Sequence, residues 1–364
     1  MIYKQFNQLN LPALGMGAMR FDMVDRTPID DEKDREMMDY AISNGINYFD
    51  TAYTYGADGA SEKYLGKMLS VYPRQSYYLA TKYIIYAGDD YKSVFEEQLN
   101  RLKTDYIDFY MIHGVTDDTY QKYIDNGCIE YFSELKQKGI IKYFGFSSHA
   151  GIDILTNLIN YRQWDFSMIQ LNFYDWVYGQ TQREYEILRK NNLPVMVMEP
   201  VRGGRLASLS PESESILKDK HPDWSIASWF FRWVKSLPGI YTVLSGMRKI
   251  EHLKENNLLF SGGESLDDED KNLLFKACEK FREEVSVLCT SCNYCVNDCP
   301  AEINIPQIIE LYNHYKKDKP WDIKDKIKNA DSKGKPADCA NCGICLGRCP
   351  QKIDVMNIMQ ELNK

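Results

Sequence analysis

Short apolar, β-rich runs alternate with helical patterns through roughly the first 280 residues. The runs are ALGMGAM (13–19), INYFDT (46–51), SYYLATK (76–82), YIDFYMIH (106–113), IKYFGFS (141–147), FSMIQLN (166–172), PVMVME (194–199) and GIYTVLSG (239–246). Between them lie apolar positions at helical spacing, as in 30–45, 61–70, 91–103 and 151–162. Several of these begin after Ser, Thr or Asp and stop at Gly or Asn, as capped helices do. Eight strand–helix units in about 270 residues match a (β/α)8 TIM barrel in count and length. A doubly wound sheet is the alternative, and it would carry a G-x-G-x-x-G turn after its first strand. The first run here ends GMGAMRF, without the third glycine.

The pattern changes near residue 280, which places a barrel at 1–280 and a second domain at 281–364. The chain has ten cysteines, and eight of them lie after residue 288. They form Cys289, Cys292, Cys295, Cys299-Pro300 and Cys339, Cys342, Cys345, Cys349-Pro350, each reading C-x2-C-x2-C-x3-C-P. The runs repeat at an offset of 50, and the match extends to Ile303 with Ile353, Ile305 with Val355 and Ile308 with Ile358. Each run opens into an apolar helix, so the domain reads as two similar halves about a pseudo-twofold.

Three cysteines spaced by two let one loop wrap three corners of a cubane. In two-cluster ferredoxins the fourth, before proline, binds the other cluster. By that rule Cys289, Cys292, Cys295 and Cys349 hold one [4Fe-4S] cluster, and Cys339, Cys342, Cys345 and Cys299 hold the other. Zinc is the competing reading, but it prefers two well-separated ligand pairs. The stretch resembles the two-cluster ferredoxin modules of redox enzymes. Its 39-residue spacer (300–338) points to the mainly helical type, with the run KKDKPWDIKDKIKNADSKGK as a solvated linker. Cys128 and Cys278 stand apart and read as buried small hydrophobes.

Composition narrows the function classes. The formal net charge is −8, opposite in sign to a general nucleic-acid binder. No apolar run reaches the ~18 residues of a membrane helix. The N-terminus lacks the basic-then-apolar pattern of an export signal. A cytoplasmic, reducing setting is expected, where clustered thiols hold metal.

In a (β/α)8 barrel the chemistry gathers at the C-terminal ends of the strands. Asp50 closes the second run, with Tyr55 in its loop; Lys82 closes the third and His113 the fourth. Four ionisable types on one rim suit carbonyl reduction. Hydride addition leaves negative charge on oxygen, and a tyrosine can supply the proton. A nearby Lys⁺ makes a phenol a stronger acid, an Asp fixes the lysine, and a histidine donates a hydrogen bond to the oxygen.

At these residues the sequence resembles the aldo-keto reductases. GINYFDTAYTYG (45–56) with SE at 61–62 is similar to the family's first signature, and ATK (80–82) and MIH (111–113) supply its lysine and histidine. The resemblance covers about residues 1–260. It implies Tyr55 as general acid/base, tuned by Lys82 and Asp50, with His113 orienting the substrate. It also implies Ser147, Ser148 and Gln170 around a nicotinamide carboxamide. Gly246, Met247 and Arg248 would then lie by the phosphates, and Glu255 and Asn256 by the adenine. The family's aromatic platform after strand seven is replaced by Met198 in VMEPVRGGRLA. There Gly203 and Gly204 suit either a phosphate approach or an ordinary turn.

Nicotinamide moves two electrons as hydride, whereas clusters move one at a time, so the barrel cofactor is NAD(P)H or a flavin (FMN). Three readings follow. The barrel reduces an organic carbonyl, or oxidises an alcohol, with two [4Fe-4S] clusters relaying electrons. Alternatively it is a plain aldo-keto reductase whose clusters are structural or redox-sensing. In the third reading the chain is an electron-transfer subunit without barrel catalysis. The expected partners are a small organic substrate and a ferredoxin or another electron carrier, with no nucleic acid and no membrane.

Overall fold

In the computed structural model, which describes residues 1–21, 23–24, 27–28, 31–88 and 90–363, the eight apolar runs become eight parallel strands closed into a barrel. The barrel strands are β1 Leu14–Gly17, β2 Tyr48–Asp50, β3 Tyr78–Tyr83, β4 Ile107–Val115, β5 Ile141–Ser148, β6 Ser167–Gln170, β7 Val195–Met198 and β8 Ile240–Ser245. Each pairs with the next in sequence, and β8 closes on β1 with Leu244 opposite Gly15. The fold class is therefore the one expected. β4 (IDFYMIHGV) is buried along nearly its whole length. It shows no polar alternation because helices cover one face and barrel contents the other.

The interior is filled by Tyr48, Ala80, Phe109, Met111, Phe166, Met168, Met196 and Leu244, together with Phe6 and Leu11. The last two come from an antiparallel hairpin, Tyr3–Phe6 with Leu9–Pro12, which periodicity alone does not signal. The Phe6 ring meets Tyr143 at 5.0 Å and Tyr241 at 5.4 Å, near the starts of β5 and β8. The hairpin thus stops the N-terminal end of the barrel and leaves the C-terminal rim for chemistry.

Packing divides the chain into two units. One is Met1–Pro200 with Phe230–Leu266, which contains the barrel; the other is Val201–Trp229 with Asp267–Lys364. In the second unit helix Asp268–Glu284 opens with a capping box between Asp267 and Asp270 and packs on helix Pro211–Lys218. Beyond it the 50-residue repeat appears in the backbone itself. Ser291 and Asn341 take φ of 51° and 52°, Asn293 and Gly343 take 65° and 77°, and Glu302 and Lys352 both take 50°. Short helices follow at Tyr294–Asn297 and Ile344–Arg348, then longer ones at Ile305–Asp318 and Val355–Leu362. Equivalent positions meet across the halves: Arg348 Nε donates to Asp298 Oδ2 at 2.6 Å. The repeat partners Ile303, Ile305, Ile308, Val355 and Ile358 share one buried core.

The charged spacer differs from the expected solvated linker. Helix Ile305–Asp318 runs on through its first lysines, and a further helix, Ile323–Lys328, buries Ile323 and Ile327 in the same core. Residues four apart share a helix face, so two isoleucines anchor a segment whose lysines stay outside. Among the described residues no helix is long and apolar enough to cross a membrane.

Phe109 is fully buried, with the rings of Phe6, Tyr48, Tyr78, Tyr143 and Phe166 between 5.1 and 6.3 Å from it. Phe109→Ala is expected to cost about 3–5 kcal/mol of stability. The denaturant midpoint reads this, and an unchanged midpoint would refute the packing account.

Candidate functional site

Four of the candidate residues meet at the C-terminal rim of the barrel. Asp50 ends β2, Lys82 lies in β3 and His113 in β4, and all three are buried. Lys82 Nζ donates to Asp50 Oδ1 at 2.5 Å, to the Thr51 carbonyl at 2.7 Å and to Tyr55 Oη at 3.4 Å. An ammonium has three N–H groups, and here each has an acceptor, so its direction is set. One points at the phenol oxygen, whose own O–H is then the donor. Burial lowers the Lys82 pKa and raises that of Asp50, and each charge opposes the other's shift.

The His113 ring stands edge-on to Tyr55 with centroids 6.0 Å apart. Burial, then the charges of Lys82 and His149, holds its pKa well below 6.5. It is therefore a neutral imidazole that donates one hydrogen bond rather than an acid. Its Nδ1 has no hydrogen-bond partner among the described protein atoms, and its carbonyl is held by the Tyr123 hydroxyl at 2.7 Å.

A second layer locks Lys82 from behind. Glu62 is fully buried and accepts from Thr81 Oγ1 at 2.6 Å, Gln98 Nε2 at 2.7 Å and Arg101 Nε at 2.8 Å. Gln98 also donates to the Lys82 carbonyl at 3.0 Å and accepts from the Tyr110 hydroxyl at 2.6 Å. Glu62 can reach this network because Gly66 lets helix Ala60–Leu69 touch helix Tyr91–Leu102. A Cβ at Gly66 would lie 2.3 Å from the Arg101 carbonyl oxygen. In the sequence Glu62 appears only within SE at 61–62. The overlooked signal is its spacing to Leu65 and Leu69, which puts a carboxylate on the buried stripe of the helix.

The nucleotide candidates occupy adjacent strand ends. Ser147 Oγ accepts from the Gly114 amide at 2.7 Å, and Ser148 Oγ accepts from the Ala150 amide at 3.1 Å. Gln170 ends β6 opposite Met198 of β7, and its Nε2 donates to Asp175 at 2.6 Å. Gly246, Met247 and Arg248 follow β8, with Met247 buried and Arg248 exposed. A Cβ at Gly246 would lie 2.5 Å from Arg20 Cγ. On helix Ile250–Phe260 Glu255 is exposed, whereas Asn256 is buried and donates to Ser245 Oγ at 3.3 Å. Gly203 and Gly204 take φ of 65° and 96° in a tight turn.

In the second unit the eight clustered cysteines surround two cavities. One, of about 330 Å³, is lined by Cys289, Cys292, Cys295 and Cys349; the other, of about 380 Å³, by Cys299, Cys339, Cys342 and Cys345. Each set takes three thiols from one run and one from the other. The remaining walls are largely apolar, with Ile309 and Ile353 at the first and Ile303 and Met359 at the second. All ten cysteines are free of disulfides. Among the described residues no three ligating side chains converge as they would around one ion. Each set of four thiols encloses a volume, and the lining suits a polynuclear cluster. Burial pushes the Cys295, Cys345 and Cys349 thiols up. Cys128 and Cys278 are fully buried away from these cavities, and burial raises the Cys128 thiol to about 12.

Comparison with known proteins identifies two family matches along the chain. Residues 13–277 match the aldo/keto reductase family and residues 288–353 the 4Fe-4S dicluster domain. An uncharacterized oxidoreductase of Bacillus subtilis, YqkF, is 28% identical over 287 residues, which is 69% of this chain and 87% of that protein. The holo form of aldo-keto reductase AKR11C1 from Bacillus halodurans superposes with a TM-score of 0.62 at 27% identity, over 76% of this chain and 96% of that one. A Klebsiella pneumoniae aldo-keto reductase in complex with NADPH shares the fold, with a TM-score of 0.59 at 21% identity over 77% and 96% of the two chains. A closed eight-stranded barrel with an Asp–Lys–Tyr–His rim, matched over most of its length, makes the chain an oxidoreductase of the aldo/keto reductase family, with a 4Fe-4S dicluster domain after the barrel.

Proposed function

We propose that this enzyme interconverts an organic carbonyl and its alcohol at the Asp50–Lys82–Tyr55–His113 rim, and that two [4Fe-4S] clusters in the second unit relay electrons to or from a carrier such as a ferredoxin. The observation that carries the reading is the triply bonded Lys82 ammonium with its third N–H on the Tyr55 oxygen. When bound, a nicotinamide supplies or accepts the hydride and the clusters supply single electrons; a flavin is the group that would join the two.

Tyr55 gives its proton to the carbonyl oxygen in reduction and takes it back in oxidation. Negative charge building on the phenol oxygen is stabilised by the ammonium 3.4 Å away. Asp50 holds that ammonium in place, and neutral His113 donates to the substrate oxygen. Ser147, Ser148 and Gln170 would hold a carboxamide, and Gly246, Met247 and Arg248 the phosphates ahead of helix Ile250–Phe260, whose N-terminus favours anions. Glu255 and Asn256 would flank the adenine. Exposed Arg248 is the candidate for a 2′-phosphate. Aromatic side chains such as Tyr53 and Tyr86 in the loops after β2 and β3 suit an organic carbonyl.

Anaerobic purification with iron, sulfide, flavin and nicotinamide analysis tests the cofactor set; about eight irons per chain are expected. Tyr55→Phe should lower kcat for carbonyl reduction by about 10²- to 10⁴-fold while iron content stays the same. Because His113 stays neutral, kcat/KM should show no inflection near 6.5; one that vanishes in His113→Gln would overturn its assigned state. Cys342→Ser should spare NAD(P)H-dependent reduction and abolish turnover driven by reduced methyl viologen. If viologen-driven turnover survives cluster loss, the clusters are structural.

A further inference from the structure

The loop after β7 carries two arginines whose roles lie outside the carbonyl chemistry. Arg202 is only 9% exposed and sits in left-handed backbone, φ 49°, which a residue with a Cβ adopts at a cost. Gly203 and Gly204, both at positive φ, separate it from Arg205. Both guanidinium groups point at one cysteine site. Arg202 Nη1 donates to the Leu288 carbonyl, and its Nη2 donates to Gln351 Oε1 at 2.7 Å. Arg205 Nε donates to the Cys289 carbonyl at 2.9 Å. Gln351 and Cys289 both line the cavity of Cys289, Cys292, Cys295 and Cys349.

That cavity needs ligands from both cysteine runs, 54 residues apart at their closest between Cys295 and Cys349. Arg202 touches both runs at once, through Leu288 before Cys289 and Gln351 after Cys349. Among the described residues, the positions that the repeat relates to Leu288 and Gln351 offer no equivalent clamp at the other cavity. Fifty residues from Gln351 stands Ala301, which has no side-chain acceptor, and fifty residues from Leu288 stands Asp338, whose carboxylate accepts from the Lys335 amide. The second cavity also includes Cys342, which is exposed.

We propose that Arg202, assisted by Arg205, is a positioning residue for the Cys289/Cys292/Cys295/Cys349 cluster, clamping the two runs into one site and raising the reduction potential of that cluster alone. The inference rests on the reading that these thiols bind a [4Fe-4S] cluster. One-electron reduction adds one negative charge to the cluster, and a guanidinium that never deprotonates favours the more negative state. Net charge, hydrogen bonds and exposure are the levers that set such potentials; the first site has the two arginine contacts, and the second has the exposed Cys342.

The test is a dithionite titration of the anaerobic holoprotein followed by electron paramagnetic resonance, with Arg202→Gln and Arg202→Lys. Wild-type protein without about eight irons and matching sulfide would defeat the cluster reading itself, separately from the inference. With clusters present, Arg202→Gln should move one of two midpoint potentials to a more negative value and leave the other in place. Arg202→Lys, which keeps the charge, should restore most of that shift. Should Arg202→Gln lose iron, a loss of about four irons with one signal intact supports the clamp. Unchanged midpoints, an equal shift of both, or loss of all iron would overturn the proposal.

Discussion

The barrel rim depends on one buried ion pair. Lys82 and Asp50 lie 1% and 2% exposed, where removing either ion from water costs several kcal/mol. Such a pair is tolerable only if the remaining hydrogen-bonding capacity is met. The Thr51 carbonyl and Tyr55 hydroxyl meet it for the ammonium, and Glu62 adds a second negative charge that supports the protonated lysine. The reactive phenol is thus held by the same contacts that make the buried charge affordable. Site geometry and local stability cannot be altered separately here.

The second unit obeys a different constraint. Its core and its clustered cysteines overlap: Cys289 and Cys295 are buried among Ile303, Ile305, Ile308 and Val355. Each cavity draws thiols from both runs, so neither half can complete a site alone. The pairing of Arg348 with Asp298 and of Tyr312 with Glu361 ties the halves at the periphery. A small unit with limited apolar area gains from such cross-links.

Legibility varied with the range of the cause. The eight strands and the two cysteine runs are local patterns, and they were readable without a partner. The N-terminal hairpin was not, because Phe6 and Leu11 find their apolar surroundings only inside the closed barrel. The lysine-rich spacer read as solvated because its charges outnumber the two isoleucines that anchor it. Glu62 was hidden inside a signature, since a buried carboxylate looks like any surface glutamate until Thr81, Gln98 and Arg101 are placed around it.

Sequence alone therefore determined the barrel's strand count, the residue types on its rim and the two repeated cysteine runs, all consequences of spacing along the chain. Only the tertiary structure decided which N–H of Lys82 meets Tyr55, that His113 is neutral, and that Arg202 joins Leu288 to Gln351. Those depend on burial and on distances between segments far apart in the chain. Periodicity carries neither quantity, because desolvation and hydrogen-bond direction arise only once the neighbours from other strands are in place.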